Sequence, residues 1–156
     1  YAQSHVTHAH LRSKVCCALY CLWARAILNG ANIQTGWDEA VLKLRNYVQD
    51  KPQDLEQLEI HIRLDELENV TGSGYVVDCL KSAKFALQQT TYQDVIKTAI
   101  ALGRDTDTTA CVAGGIAGLY FGLNAIPKPW LAQLRGKELV EPLLSKIEKN
   151  IDLSAS

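Results

Sequence analysis

The stretch LGRDTDTTACVAGGIAG, Leu102 to Gly118, opens acidic and closes small and apolar, with two aspartates, three threonines and four glycines in one short run. Asp105 and Asp107 lie either side of Thr106, Thr108 and Thr109 follow, and the helix-favouring run ACVAGGIAGLYFG comes next. A helix N-terminus accounts for part of this, since Asp and Thr cap free backbone N–H groups and complement the helix dipole. One acid is enough for that. Two carboxylates with hydroxyls on a short turn also form the hard-oxygen cluster that Mg²⁺ or Mn²⁺ prefers, with water filling the remaining positions. Spacing leaves both readings open, and they are compatible. Gly114, Gly115 and Gly118 allow another helix to approach closely, which would hold the acidic turn at a fixed depth in a bundle.

Outward from this stretch the pattern is helical almost throughout. Upstream, TTYQDVIKTAIALG carries Thr91 three residues before Asp94, a capping arrangement, and Gly103 closes its last turn. Val77, Leu80, Ala83 and Leu87 recur at helical spacing after ENVTGSGYVVD, whose two glycines around a serine read as a loop. Leu11, Val15, Leu19, Leu22 and Ala26 mark an amphipathic helix ended by Asn29-Gly30. Thr35 and Asp38 suggest a second capped start, with Val41, Leu44 and Val48 on one face until Pro52, and Asp54 to Glu68 reads as a further helix. Downstream, NAIPKPW reads as a loop and Leu139, Leu143, Ile147 and Ile151 as an amphipathic end. No convincing alternating strand and no internal repeat occurs. An all-α domain is expected.

Composition bounds the partners. The 156 residues, 47% hydrophobic with only 4 prolines, suffice for one domain with a sizeable core. Sixteen basic against 17 acidic residues leave a net charge of -1, which argues against a nucleic-acid or anionic-membrane surface as the main partner. No run approaches the roughly 20 apolar residues that span a bilayer. Five cysteines, an odd number with Cys16 and Cys17 adjacent, suit reduced thiols and a cytoplasmic location better than a disulfide framework. They read as core residues. A zinc site from His8, His10, Cys17 and Cys21 matches no standard finger spacing.

The ordered motifs GRDTDTTACVAGGIAGLYFG, IPKPW, SHVTHAH and GSGYVVDCLKSAKFAL together resemble the C-terminal signature of the ADP-ribosylglycohydrolases. The resemblance runs over nearly the whole chain. It implies a compact, multi-helix orthogonal bundle around a dinuclear Mg²⁺ or Mn²⁺ site that hydrolyses the glycosidic bond between ADP-ribose and a protein or small-molecule acceptor. The family's Asp-x-Asp-Thr turn supplies metal ligands, which map onto Asp105, Asp107 and Thr108. On the substrate side it implies that His8 orients ADP-ribose, that Gly72, Ser73 and Gly74 let backbone amides approach a ribose or diphosphate, and that Tyr75 offers a ring to the adenine or ribose face. Arg104 departs from the family's small or amide residue at that position; a guanidinium there either weakens metal binding by charge or pairs with a diphosphate.

The resemblance also implies an absence. Members of the family are longer, and their N-terminal half carries a Thr-Asp-Asp metal motif and a water-positioning acid. The adjacent acid pairs here, Asp38-Glu39 and Asp65-Glu66, are not preceded by threonine, and no catalytic acid or base is assigned within the chain. With no methionine and a start at Tyr1, the expectation is that residues 1–156 are the C-terminal portion of an ADP-ribosylglycohydrolase-like domain, whose partners are the N-terminal segment and an ADP-ribosylated protein or ADP-ribose derivative. A non-catalytic ADP-ribose binder and a crystallin-like structural protein are the alternatives. Intact Asp105, Asp107 and Thr108 favour the enzyme, because neither alternative needs all three.

Overall fold

A computed structural model of the chain describes residues 2–64 and 70–154. It is all-α, and no strand occurs among the described residues. Residues 1–125 and 126–156 form two compact units.

The larger unit is organised by α2 (Leu11–Leu28), which follows the single turn α1 (Ala2–His5). Its buried face, Val15, Cys16, Leu19, Trp23, Ala26 and Ile27, follows the spacing that the sequence shows. α2 packs against α3 (Ile33–Val48), α5 (Val76–Ala86) and α7 (Thr106–Phe121). α6 (Tyr92–Ala101) and α5 both lie against α7. Trp23 is fully buried, and its indole N–H donates to the Ile33 carbonyl at 2.9 Å, so no polar atom of the ring is left unsatisfied. Trp37 meets it edge to face, with ring centroids 4.9 Å apart at 79°.

Two helix starts behave differently. Thr91 caps α6 as expected, accepting the Asp94 amide at 3.1 Å while its hydroxyl donates to the Asp94 carboxylate at 2.7 Å. Thr35 does not cap α3. Asn32 does, accepting the Thr35 amide at 2.9 Å, because Gly36 and Trp37 are buried against Trp23 and Ile27 and must already lie inside the helix. Asn serves as a cap at least as well as Thr.

The segment expected to be helical from Asp54 to Glu68 begins at α4 (Pro52–Glu56), with proline in its first turn, and widens into a π-helical segment, Gln57–Ile62. This segment buries Leu58 and Ile62 and packs against α2. Arg63 ends it at φ 51°, and residues 65–69, including the Asp65-Glu66 pair, lie outside the described residues.

The glycines of α7 receive side chains from two helices. Tyr20 of α2 places its hydroxyl at the face of Gly115 and donates to the Val112 carbonyl at 3.0 Å. Tyr92 and Ile96 of α6 fill the space at Gly114, where an added Cβ would stand 3.3 Å and 3.0 Å from their atoms. The small-residue run therefore does admit close neighbours. Cys16 and Cys79 are buried, but Cys21 and Cys111 are exposed, which corrects the reading of all five thiols as core residues.

In the smaller unit NAIPKPW is not wholly a loop. A turn of 3₁₀ helix closes residues 123–125 of the larger unit, and α8 (Lys128–Gln133) starts directly after Pro127 with Pro129 in its first turn, where a missing N–H costs nothing. α9 (Lys137–Ser154) forms the expected amphipathic end, with Pro142 inside it; the Ile151 side chain lies outside the described residues. No described helix is long and apolar enough to cross a membrane.

Candidate functional site

The N-termini of α5 and α7 meet through one loop, Thr71 to Tyr75, and most of the site residues expected from the sequence gather there. Asp105 is the N-cap of α7, its carboxylate accepting the Thr108 amide at 3.4 Å. Asp105 thus takes the capping role expected of the turn, and Asp107 and Thr108 are exposed in the first turn beside it. The Asp105 carboxyl is held below its ordinary range, chiefly by the Thr108 hydroxyl, then by hydrogen bonding with Asp107 and by the Thr108 amide.

The loop is fastened to this turn at the main chain. The Asp105 amide donates to the Gly72 carbonyl at 2.9 Å, and the buried Thr109 hydroxyl reaches the same carbonyl at 3.5 Å. Gly72 sits at φ 68°, a left-handed conformation, and an added Cβ would lie 2.8 Å from both the Gly103 carbonyl oxygen and Leu102 Cβ. At Gly74 the Asp105 carboxylate occupies the space a Cβ would need. Both glycines of the loop are therefore required for a steric reason. Arg104, at φ 56°, brings its guanidinium to 3.4 Å from the Thr71 hydroxyl, so it lies along the loop.

Asp78 and Ser82, one turn apart on α5, hold the loop from the other side. The Asp78 carboxylate accepts the Thr71 amide at 3.0 Å, the Thr71 hydroxyl at 2.9 Å and the Ser73 amide at 2.6 Å, and the buried Ser82 hydroxyl accepts the Gly72 amide at 3.2 Å. Burial alone would raise the Asp78 carboxyl; these donors outweigh it and leave it lowered. Asp78 is not among the residues expected from the sequence. Its signal is an acid in the first turn of a helix whose N-cap, Tyr75, makes no side-chain capping bond.

Tyr75 is 50% exposed, so its ring face is accessible. Its phenol oxygen accepts from Arg12 Nη1 at 2.6 Å, while Arg12 Nε donates to Gln57 at 2.9 Å, which ties the loop to α2 and to the π-helical segment. His8 is not brought into this network. It is exposed ahead of α2, with Nδ1 3.0 Å from the Thr7 hydroxyl. His10 caps α2 by accepting the Arg12 amide at 3.1 Å.

Among the described residues no three His, Cys, Asp or Glu side chains gather at metal-holding range, so His8, His10, Cys17 and Cys21 do not form a zinc site. Cys79 lies below the junction with its thiol pushed up to about 11, by burial first and then by the charges of Asp105 and Asp78. It stays protonated near neutral pH and is no nucleophile. A surface cavity of about 360 Å³ beside Trp37, Val41, Arg45 and Lys84 shares no residue with the junction.

A family model described as ADP-ribosylglycohydrolase matches residues 1–155. The chain is 29% identical over 146 residues to the ADP-ribosylarginine hydrolase Tri1 of Pseudomonas putida, covering 93% of this chain and 38% of that protein. To the ADP-ribosylarginine hydrolase Tri1 of Serratia proteamaculans it is 38% identical over 81 residues, 51% of this chain and 22% of that one. To the ADP-ribosyl-(dinitrogen reductase) glycohydrolase of Rhodospirillum rubrum it is 25% identical over 134 residues, 85% and 41% of the two chains. The chain thus spans well under half the length of these relatives. No solved structure matches it.

Proposed function

Since the chain belongs to the ADP-ribosylglycohydrolase family, we propose that it forms one side of an enzyme active site that hydrolyses the glycosidic bond between ADP-ribose and a protein or small-molecule acceptor. The observation that carries this reading is the main-chain bond from Asp105 to Gly72, which fixes the Asp-Thr-Asp turn against the glycine-rich loop. Hydrolysis of that glycosidic bond needs the centre that activates water and the surface that holds the ADP-ribose at a fixed separation, and this junction would supply it.

The turn suits Mg²⁺ or Mn²⁺. Its donors are two carboxylates and a hydroxyl, all hard oxygens, with Asp107 and Thr108 exposed, Asp105 half-buried, and Gly74 leaving room for the Asp105 carboxylate. Asp105, Asp107 and Thr108 would hold one side of a dinuclear site. When bound, the metal pair supplies an activated water and stabilises the leaving oxygen or nitrogen. The chain's own residues do the rest of the work assigned to it. In the Gly72, Ser73 and Gly74 stretch the first two amides are taken by Ser82 and Asp78, so a ribose or diphosphate would contact the loop without them; the Tyr75 ring covers an adenine or ribose face, and His8 orients the ADP-ribose from the segment ahead of α2.

The remaining ligands come, on this reading, from an N-terminal segment of the same enzyme, because the described residues bring no further His, Cys, Asp or Glu side chain to Asp105, Asp107 and Thr108. The 156-residue chain by itself then hydrolyses no ADP-ribosyl bond: with only one side of a preorganised electrostatic site, the developing oxocarbenium loses its fixed partners at a cost of orders of magnitude in rate. Free thiols at all five cysteines suit the cytoplasm.

The test is to assay the purified chain on ADP-ribosylated protein with Mg²⁺ or Mn²⁺, and again after adding the N-terminal segment as a separate polypeptide. Gain of activity only in the mixture, abolished by Asp105→Ala or Asp107→Ala, is the expected result. Turnover by the chain alone would refute the divided site, and a mixture that binds ADP-ribose without turnover would favour a non-catalytic binder.

A further inference from the structure

We infer that Asp78 is a positioning residue that sets the place of the Asp105 carboxylate without touching it. The chain of contacts is short. One carboxylate takes up the amides of Thr71 and Ser73 and the Thr71 hydroxyl, at 3.0, 2.6 and 2.9 Å. These bonds bracket Gly72, whose own amide goes to Ser82 at 3.2 Å, so every main-chain donor from Thr71 to Ser73 is spent on α5. The Gly72 carbonyl faces the other way, and it accepts the Asp105 amide at 2.9 Å.

The next residue of consequence is Gly74, whose missing side chain is the space the Asp105 carboxylate fills. Shifting the loop therefore moves both the acceptor of the Asp105 amide and the wall of the Asp105 carboxylate. A carboxylate that accepts from several backbone amides makes stronger, shorter bonds than a neutral acceptor. An asparagine in its place has one oxygen instead of two and turns an NH₂ group toward at least one of those donors. The loop then loses its clamp while α5 keeps its length and its apolar face.

The consequence for function rests on the reading of Asp105 as a metal ligand, but the structural coupling does not. In Asp78→Asn, amide hydrogen exchange should accelerate at least tenfold at Thr71 and Ser73, which are bonded directly, and also at Asp105, which Asp78 does not touch. Exchange at Leu44 and Val95 in the core should be unchanged. Faster exchange at Thr71 and Ser73 with the Asp105 amide unaffected would overturn the inference. If Asp78→Asn does not fold, Thr71→Val, which removes one of the three bonds, is held to the same ordering of amides.

A second readout is Mn²⁺ affinity by calorimetry in the complete enzyme, where Asp78→Asn should weaken binding about tenfold and Asp78→Glu, which restores the charge, should recover part of it. Asp105→Ala separates the two ideas. If Asp105→Ala leaves Mn²⁺ binding intact, the ligand reading fails and the exchange result still decides the coupling; if Asp105→Ala weakens binding and Asp78→Asn does not, the positioning role is refuted.

Discussion

Gly72 and Gly103 offer a controlled pair of substitutions. Both have left-handed backbones, φ 68° and 77°, so alanine at either position carries a similar conformational cost of about 1–2 kcal/mol, offset in part by the smaller entropy of the unfolded chain. Their surroundings differ. A Cβ at Gly103 would meet nothing within 4 Å, whereas at Gly72 it would stand 2.8 Å from the Gly103 carbonyl oxygen and from Leu102 Cβ. Neither of those atoms can rotate away, so main chain must shift, at an additional cost of about 1–3 kcal/mol. Gly103→Ala should therefore cost about 1 kcal/mol and Gly72→Ala about 2–4 kcal/mol. For a chain of this size that corresponds to a midpoint lowered by about 3 °C and about 6–12 °C respectively. Thermal and urea unfolding followed by far-UV circular dichroism measures both, with equal m-values required for the comparison. If the two variants fall within about 0.5 kcal/mol of each other, the steric argument at the loop–turn junction is wrong.

Tyr75→Ala should weaken ADP-ribose binding about tenfold, on the order of 1 kcal/mol for a lost aromatic face, as read by titration calorimetry of the complete enzyme; equal affinity in variant and parent would make Tyr75 a structural residue. Gly115→Ala should destabilise the fold by about 1–3 kcal/mol by displacing the Tyr20 hydroxyl, and Tyr20→Phe should relieve part of that cost, so that the double variant is more stable than the sum of the single losses. For pH, the folded Asp78 carboxyl lies below its ordinary value of 3.8, so its contribution is complete above that value and is lost as pH falls through the lower folded value. Acid unfolding curves of Asp78→Asn should accordingly be flatter than those of the parent below about pH 4, and parallel curves would count against the clamp.

Much of the helical architecture can be read from periodicity and caps. α2 and α6 follow from their apolar spacing, and Thr91 with Asp94 marks the start of α6 because both partners of the cap lie within four residues. α3 is less transparent: Thr35 and Asp38 form a plausible box, yet burial of Gly36 and Trp37 against α2 selects Asn32, a tertiary reason that no local window contains. The π-helical segment has the same origin, since its register serves Leu58 and Ile62 rather than any turn residue. In the site, Asp105, Gly72, Gly74 and Tyr75 were legible because they stand in short ordered motifs. Arg12 was not, because Tyr75 lies 63 residues away, and Asp78 was not, because a single acid in a helix's first turn carries no spacing to read even though its partners lie five and seven residues upstream. His8 also stands in an ordered motif, but its ring bonds to its own neighbour, Thr7.

The crossed indoles of Trp23 and Trp37 give the larger unit an optical signature. At 4.9 Å and 79° their transition dipoles are close enough to share excitation and skewed enough for that sharing to be chiral, so the pair should contribute a bisignate band to the circular dichroism spectrum. Trp130 belongs to the smaller unit, on α8. Replacing it with phenylalanine would leave the coupled pair as the chain's tryptophan chromophores, and the amplitude of that band would then follow the seating of α2 on α3 alone, separately from the helix content that the peptide bands report.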